Sequence, residues 1–152
     1  MKKVAIIGEG ISGLVFANLL KQELDYEVII YEKNNSINLE KGYGVQLSIN
    51  SVELLNKIGF QNISSKNKFY PNKVDFYSSI SKKKICDLDI STFNKDSVKY
   101  TTLQRATLID FLKNKIPSNL TQYNKRISKI KNINKNIELI FDDNSHVNCD
   151  FL

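Results

Sequence analysis

Four residues near the start of the chain have the types and spacing to hold phosphates and a sugar. Gly8, Gly10 and Gly13 make a G-x-G-x-x-G turn, and Glu32 stands 19 positions after the third glycine. Gly8 permits a tight turn off a strand. Gly10 has no Cβ, so the backbone can approach a pyrophosphate closely. Gly13, with Ala17 one turn further on, lets a helix sit close on a sheet. That helix begins at Ile11 and Ser12, whose end of the helix offers free N–H groups and partial positive charge to phosphates. Glu32 can accept hydrogen bonds from a ribose diol and repels a 2′-phosphate, which favours FAD or NAD over NADP. Glu9 is the awkward member, because a carboxylate in the turn disfavours an anion unless it points to solvent.

These residues have meaning only on the right elements. Val4-Ala5-Ile6-Ile7 is a wholly apolar run directly before the turn, as expected of a strand buried on both faces. Leu14 to Leu20 continues as an apolar helix, and Val28-Ile29-Ile30-Tyr31 is a second apolar run ending at Glu32. A G-x-G-x-x-G alone commonly means a flexible loop. Here strand, glycine turn, helix, second strand and acid are in register, and the expectation is a dinucleotide-binding βαβ unit.

The chain has 152 residues, is 41% hydrophobic and 25% charged, and so has the size and composition of one ordinary globular domain. No apolar run approaches the roughly 18–20 residues needed to span a bilayer. The start, Met-Lys-Lys-Val-Ala-Ile-Ile-Gly, superficially suggests a secretion signal, but its apolar stretch is short and the glycine turn interrupts it. It reads as a first strand, and the expected location is the cytoplasm. Cys86 and Cys149 lie far apart without metal-ligand spacing and read as two reduced, structural thiols. His146 has no nearby Cys or His with which to share a metal, so no metal site is expected. The net charge of +6 does not gather into one stripe. Lysines are scattered among Asn and Ile, a bias that AT-rich codons produce without selection for binding. No nucleic-acid partner is expected.

After Glu32 and Lys33 comes a polar loop to Lys41, then Gly42-Tyr43-Gly44 and an extended Val45-Gln46-Leu47. Asn50 with Glu53 forms a capping-box-like pair before a helix over 51–58, striped by Val52, Leu55 and Ile58. Gly59 is placed to end it in the left-handed conformation, with Phe60 folding back onto Leu55. Lys73 to Tyr77 and Lys84 to Ile90 read as two strands around a Ser/Lys-rich turn whose tip is Lys82-Lys83-Lys84. They interrupt the βαβ rhythm as a small inserted antiparallel sheet. Val98-Lys99-Tyr100 is strand-like and leads into Leu103-Gln104-Arg105. A helix carrying Leu108, Ile109, Leu112 and Ile116 follows and stops at Pro117. The last third reads as a meander, with Ile137, Leu139 and Phe141 alternating and a tight turn at Asp143-Asn144. A final apolar strand begins at Cys149-Asp150-Phe151-Leu152, so the doubly wound sheet is expected to be incomplete at the C-terminus, as in a shortened reading frame.

With these segments placed, the chain resembles the flavin-dependent aromatic hydroxylases, the family of para-hydroxybenzoate, salicylate and ubiquinone-ring hydroxylases. Four stretches carry the resemblance: the glycine turn with Glu32-Lys33; Gly42 to Ser51 running on to Leu55 and Ile58-Gly59-Phe60; Leu103-Gln104-Arg105 with Leu108 and Leu112; and Phe141 to Asn144 through Leu152. Ile49 stands where a proline is common and Asn144 where a glycine is common; Asn tolerates the left-handed turn conformation. The family's later Asp-Gly and Gly-Asp motifs do not occur within the chain.

The resemblance implies an α/β fold: a Rossmann-like FAD-binding βαβ with an inserted small antiparallel sheet. Residues 1–70 would be the FAD-binding part, 71–98 the inserted strands of the substrate-side sheet, and 99–152 the return to the FAD-binding domain. It implies FAD as cofactor and NAD(P)H as electron donor, with one oxygen atom of O₂ placed on a small, aromatic or similarly electron-rich substrate. The implied cofactor-binding residues are Gly8, Gly10, Ile11, Ser12, Gly13, Glu32, Lys33, Gly44, Val45 and Arg105. Arg105 reads equally as a charge near the flavin or as a helix-start arginine in a surface ion pair, and Tyr43 as a substrate-side residue or an ordinary loop aromatic. No side chain is singled out as a catalytic acid or base, because the cofactor performs the oxygen chemistry. Two other readings stand beside this one: a different FAD oxidoreductase of the same architecture, of the prenyl reductase or halogenase type, and a non-catalytic nucleotide-binding fragment. A chain of this extent is expected not to turn over substrate by itself.

Overall fold

Val4, Ala5 and Ile6 are buried, and so are Val28, Ile30 and Tyr31; two short apolar runs covered in this way must satisfy their backbone groups by pairing within a sheet. They do so in the computed structural model, which describes residues 1–37, 42–95, 97–133 and 136–152. β1 (Lys2–Ile7) pairs in parallel with β2 (Tyr26–Tyr31), Val4 opposite Val28 and Ile7 opposite Tyr31. Between them runs α1 (Ile11–Leu20), so the first 31 residues form the expected βαβ unit.

The described residues fall into two compact units, Met1–Lys41 with Leu108–Leu152, and Gly42–Thr107. In the first unit β7 (Thr121–Gln122) extends the parallel sheet on the far side of β2. On the other side of β1, Phe151 makes a parallel bridge to Val4, and the Ala5 N–H donates to the Phe151 carbonyl at 2.9 Å. The apolar C-terminal segment therefore joins the parallel sheet, as its composition suggested. β8 (Ile127–Ile133), β9 (Asn136–Phe141) and β10 (His146–Cys149) form the antiparallel meander. Its turn places Asn144 at a φ of 61°, and Leu139, Phe141 and Cys149 share one buried cluster with Ala5 and Tyr31. The Tyr31 and Phe141 rings meet at 4.9 Å between centroids. Burial pushes the Cys149 thiol up, as for a packed, unreactive cysteine; both cysteines are free.

The division between the units falls within α3 (Arg105–Lys113), whose Leu108, Ile109 and Leu112 are completely buried. The helix ends at Lys113, before Ile116, and turns carry the chain to Pro117. Asn18, buried on α1, donates one amide to the Leu14 carbonyl at 2.8 Å and to the Leu112 carbonyl at 3.0 Å. A buried side-chain amide satisfied in this way clamps α1 to α3.

In the second unit β3 (Gly44–Leu47) pairs antiparallel with β6 (Thr101–Gln104). The expected strand at Val98-Lys99-Tyr100 is therefore displaced: Val98 makes only a bridge to Lys95, and the ladder starts at Thr101, where Leu47 supplies a partner. α2 spans Ile49–Asn56 with Ser48, not Asn50, at its N-cap. Ser48 hydrogen-bonds Asn50 through its hydroxyl, so Asn50 is consumed inside the first turn and no capping box forms. Gly59 ends the segment at a φ of 85°, and Phe60 is buried behind it, as expected of a left-handed helix stop. β4 (Lys73–Tyr77) and β5 (Lys84–Asp89) form the inserted hairpin. Lys84 belongs to β5, where it reaches Asp75 at 3.0 Å and Asp87 at 2.7 Å.

Candidate functional site

The glycine turn is built by three different constraints. Gly8 sits at a φ of 95°, a conformation L residues rarely adopt, and donates its N–H to the Tyr31 carbonyl at 2.9 Å. Gly10 is the N-cap of α1 and has no capping side chain. Leu14 is the first residue whose N–H finds the helical acceptor, Gly10 O at 2.9 Å. The N–H groups of Ile11, Ser12 and Gly13 precede it at the positive end of the helix. A Cβ built on Gly8 or Gly10 meets nothing within 4 Å, whereas one on Gly13 lies 2.2 Å from the Gly8 carbonyl oxygen. The first two glycines leave open space above the backbone, and the third closes the turn on itself.

Glu32 is buried at the end of β2. Its Oε2 accepts from the Glu9 N–H at 2.9 Å, and its Oε1 accepts from the Asn34 N–H at 2.9 Å and the Asn34 amide at 2.7 Å. Burial raises its pKa, but those donors and the neighbouring Lys33 cation outweigh burial, and the carboxyl is held below its ordinary value. Oε1 thus accepts twice, whereas Oε2 accepts once and has a second lone pair with which to accept again. Lys33 is exposed next to it.

Glu9 does not point to solvent, so the condition set from the sequence for a carboxylate beside an anion is not the one the turn meets. Its side chain is buried; Oε1 accepts from Thr121 Oγ1 at 3.0 Å and pairs with Lys113 Nζ at 3.6 Å. The turn tolerates a carboxylate because a cation from the end of α3 offsets it. Lys113, Thr121 and Asn34 were not singled out from the sequence, since only the fold brings them to the turn. The unusual acid at position 9 was the one available signal.

In the second unit the structure joins two of the resembling stretches. Gly44 lies opposite Gln104 and Val45 opposite Leu103, and the Arg105 N–H donates to the Tyr43 carbonyl at 3.0 Å. Gly42 has a φ of 125°, and a Cβ there would fall 2.7 Å from Arg105 Cδ. The φ alone favours glycine there, and the arginine stem lies against it. Gly44, Val45 and Arg105 thus form one group, while Tyr43 is 94% exposed. The first unit holds Gly8, Gly10, Ile11, Ser12, Gly13, Glu32 and Lys33 as another. Among the described residues no group of three His, Cys, Asp or Glu side chains could hold a metal. No described helix is long and apolar enough to cross a membrane.

A profile of the NAD(P)-binding Rossmann-like domain family matches residues 6–39, the segment from the end of β1 to just past Glu32. No curated protein sequence matches the chain. Solved structures match nearly all of it. HpxO from Klebsiella pneumoniae, complexed with FAD and uric acid, is 20% identical, with a TM-score of 0.76 over 98% of this chain and 37% of that one. A putative FAD-containing monooxygenase from Photorhabdus luminescens is 26% identical, with a TM-score of 0.71 over 99% of this chain and 38% of that one. The fold is that of the FAD-dependent monooxygenases. A 2,6-dihydroxypyridine-3-hydroxylase from Arthrobacter nicotinovorans shares it at 13% identity, with a TM-score of 0.73 over 98% of this chain and 35% of that one. The chain thus spans well under half the length of the monooxygenases it matches.

Proposed function

We propose that this chain is the FAD-binding portion of a flavin-dependent monooxygenase that hydroxylates an aromatic or similar small molecule with NAD(P)H and O₂. The observation that carries this reading is the open glycine turn hydrogen-bonded, through Glu9, to a carboxylate already aligned at the end of β2. The residues fit the ADP half of FAD. Gly8, Gly10 and the first-turn N–H groups of Ile11, Ser12 and Gly13 would hold the pyrophosphate. Glu32 would accept from the ribose hydroxyls, and Lys33 would place a cation nearby. Gly44, Val45 and Arg105 are assigned to the flavin end. Bound FAD would supply the redox and oxygen chemistry, and this chain's residues would bind and orient it. A cytoplasmic location is part of this reading, and two free thiols accord with it.

The first test is to titrate FAD into the purified chain by flavin fluorescence, with ADP as competitor. Saturable binding that ADP displaces is expected, and Glu32→Ala should weaken it by about tenfold or more, the loss of hydrogen bonds to a charged group. Absence of FAD binding by the wild type would overturn the reading. The activity is tested on the protein produced from its gene in full. Oxygen uptake with NAD(P)H should depend on an aromatic substrate and give a product heavier by one oxygen. Bound FAD without such a product would favour the prenyl reductase or halogenase type instead.

A further inference from the structure

Residue 9 ties the glycine turn in two directions. Its N–H donates to Glu32 Oε2 at 2.9 Å. Its buried carboxylate reaches the other way, to Thr121 of β7 at 3.0 Å and Lys113 of α3 at 3.6 Å. Lys113 Nζ also donates to the Tyr123 hydroxyl at 3.1 Å and lies 5.7 Å from that ring's centroid. The other Glu9 oxygen, Oε2, is buried and has no hydrogen-bond partner among the described residues. The carboxylate is thus only partly satisfied, and Lys113 is the cation beside it. An acid so placed is costly in two ways. It is out of water, and it lies one residue from the backbone that would receive phosphates.

We propose that Glu9 and Lys113 are a charge-compensated positioning pair: the carboxylate anchors the glycine turn to β7 and α3, and the ammonium cancels its charge where a pyrophosphate would bind. The second half rests on the nucleotide reading above. The first half concerns the protein alone: the anchored turn aims the Glu9 N–H at Glu32. Lys113 is the group whose loss exposes both functions, because a buried carboxylate without its cation is strained and also repels phosphate. Gln at position 9 keeps an acceptor for Thr121 and removes the charge.

The test uses the full 152-residue chain as wild type, Lys113→Met, and Lys113→Met combined with Glu9→Gln. The probes are ADP and adenosine, which differ in the phosphates. Lys113→Met should weaken ADP by about tenfold or more, as expected for a buried charge left unpaired, and adenosine much less. Adding Glu9→Gln should restore most of the ADP affinity. Equal losses for both probes, no loss, or no rescue would overturn the pair. Carbon-13 NMR titration of the Glu32 carboxyl provides a readout without any nucleotide. Lys113→Met should raise that pKa toward the ordinary glutamate range, because the Glu9 N–H is no longer aimed at Oε2; Glu9→Gln should bring it back down. Lys33, the cation beside Glu32, is left in place throughout. An unchanged Glu32 titration would overturn the anchoring role even if ADP binds. Failure of wild-type ADP binding with the expected Glu32 shifts would instead overturn the nucleotide reading and leave the anchor standing.

Discussion

Strands β2 and β5 are each six residues long, yet they are held in place by different forces. In β2, Val28, Ile30 and Tyr31 are buried, and the strand has a neighbour on both edges, β1 and β7. Every residue of β5 is exposed, and its only partner strand among the described residues is β4. Ile85 and Leu88 lie 70% and 49% open. What organises the β4–β5 hairpin is charge: Lys84 bridges Asp75 and Asp87, and Lys73 reaches the same two acids. These bonds push the Lys84 pKa up and the Asp75 and Asp87 values down, but exposed pairs contribute little to global stability. Around the glycine turn two carboxylates, Glu9 and Glu32, are buried and held by hydrogen bonds and one ion pair. The hairpin has the right pattern and turn, but among the described residues nothing buries its β5 strand.

The largest expected difference is a matched pair of truncations. Leu14→Ala, at a fully buried site, should cost about 2–5 kcal/mol in urea unfolding, and Leu88→Ala on β5 about 0.5 kcal/mol or less. Equal costs would remove the distinction. Next is Gly13→Ala. Ala normally stabilises a helical position, but here its Cβ would meet the Gly8 carbonyl at 2.2 Å. A loss of about 1–3 kcal/mol is expected, as for overpacking, with weakened FAD binding; a gain in stability would show that the turn can open without cost.

A smaller effect is set by pH. The folded-state pKa of Glu32 lies below the ordinary value, near 4.3 for an unperturbed glutamate. Its contribution is therefore present above that value and is lost as pH falls through the folded pKa. Glu32→Gln should flatten this part of the stability profile, measured by thermal unfolding at stepped pH; an unaltered slope would mean other carboxylates carry it. The smallest effect is expected from Lys84→Ala. Amide exchange in β4 and β5 should quicken, more so at low salt where the wild-type pairs are least screened, while the global unfolding midpoint stays put. A shifted midpoint would make the hairpin part of the cooperative core.

The legible parts of the site were local ones. Gly8, Gly10, Gly13 and Glu32 follow rules of spacing along one strand-turn-helix-strand run, so their places on it could be read before the fold was known. Gly59 and Asn144 were equally readable, because a left-handed backbone restricts which residues fit. The α2 cap was misplaced by two residues because Ser48 and Asn50 are both good capping types, and tertiary placement of β3 decided between them. The strand near residue 100 was displaced because its start depends on where Leu47 lies. The direction of Glu9 could not be read, because its partner, Lys113, is 104 positions away.

By itself the amino-acid sequence determined the βαβ unit, the glycine turn, the acid at the end of β2 and the hairpin insert, since each depends on periodicity or backbone freedom within a short window. Only the tertiary structure decided that Glu9 turns inward, that Gly42 makes room for Arg105, that Gly44–Leu47 pairs with Thr101–Gln104, and that Phe151 joins the parallel sheet beside Val4. The reason is the same in each case. A buried charge, a glycine pressed by a distant side chain and an unpaired strand edge are all satisfied by groups remote in sequence, and folding alone brings those groups within reach.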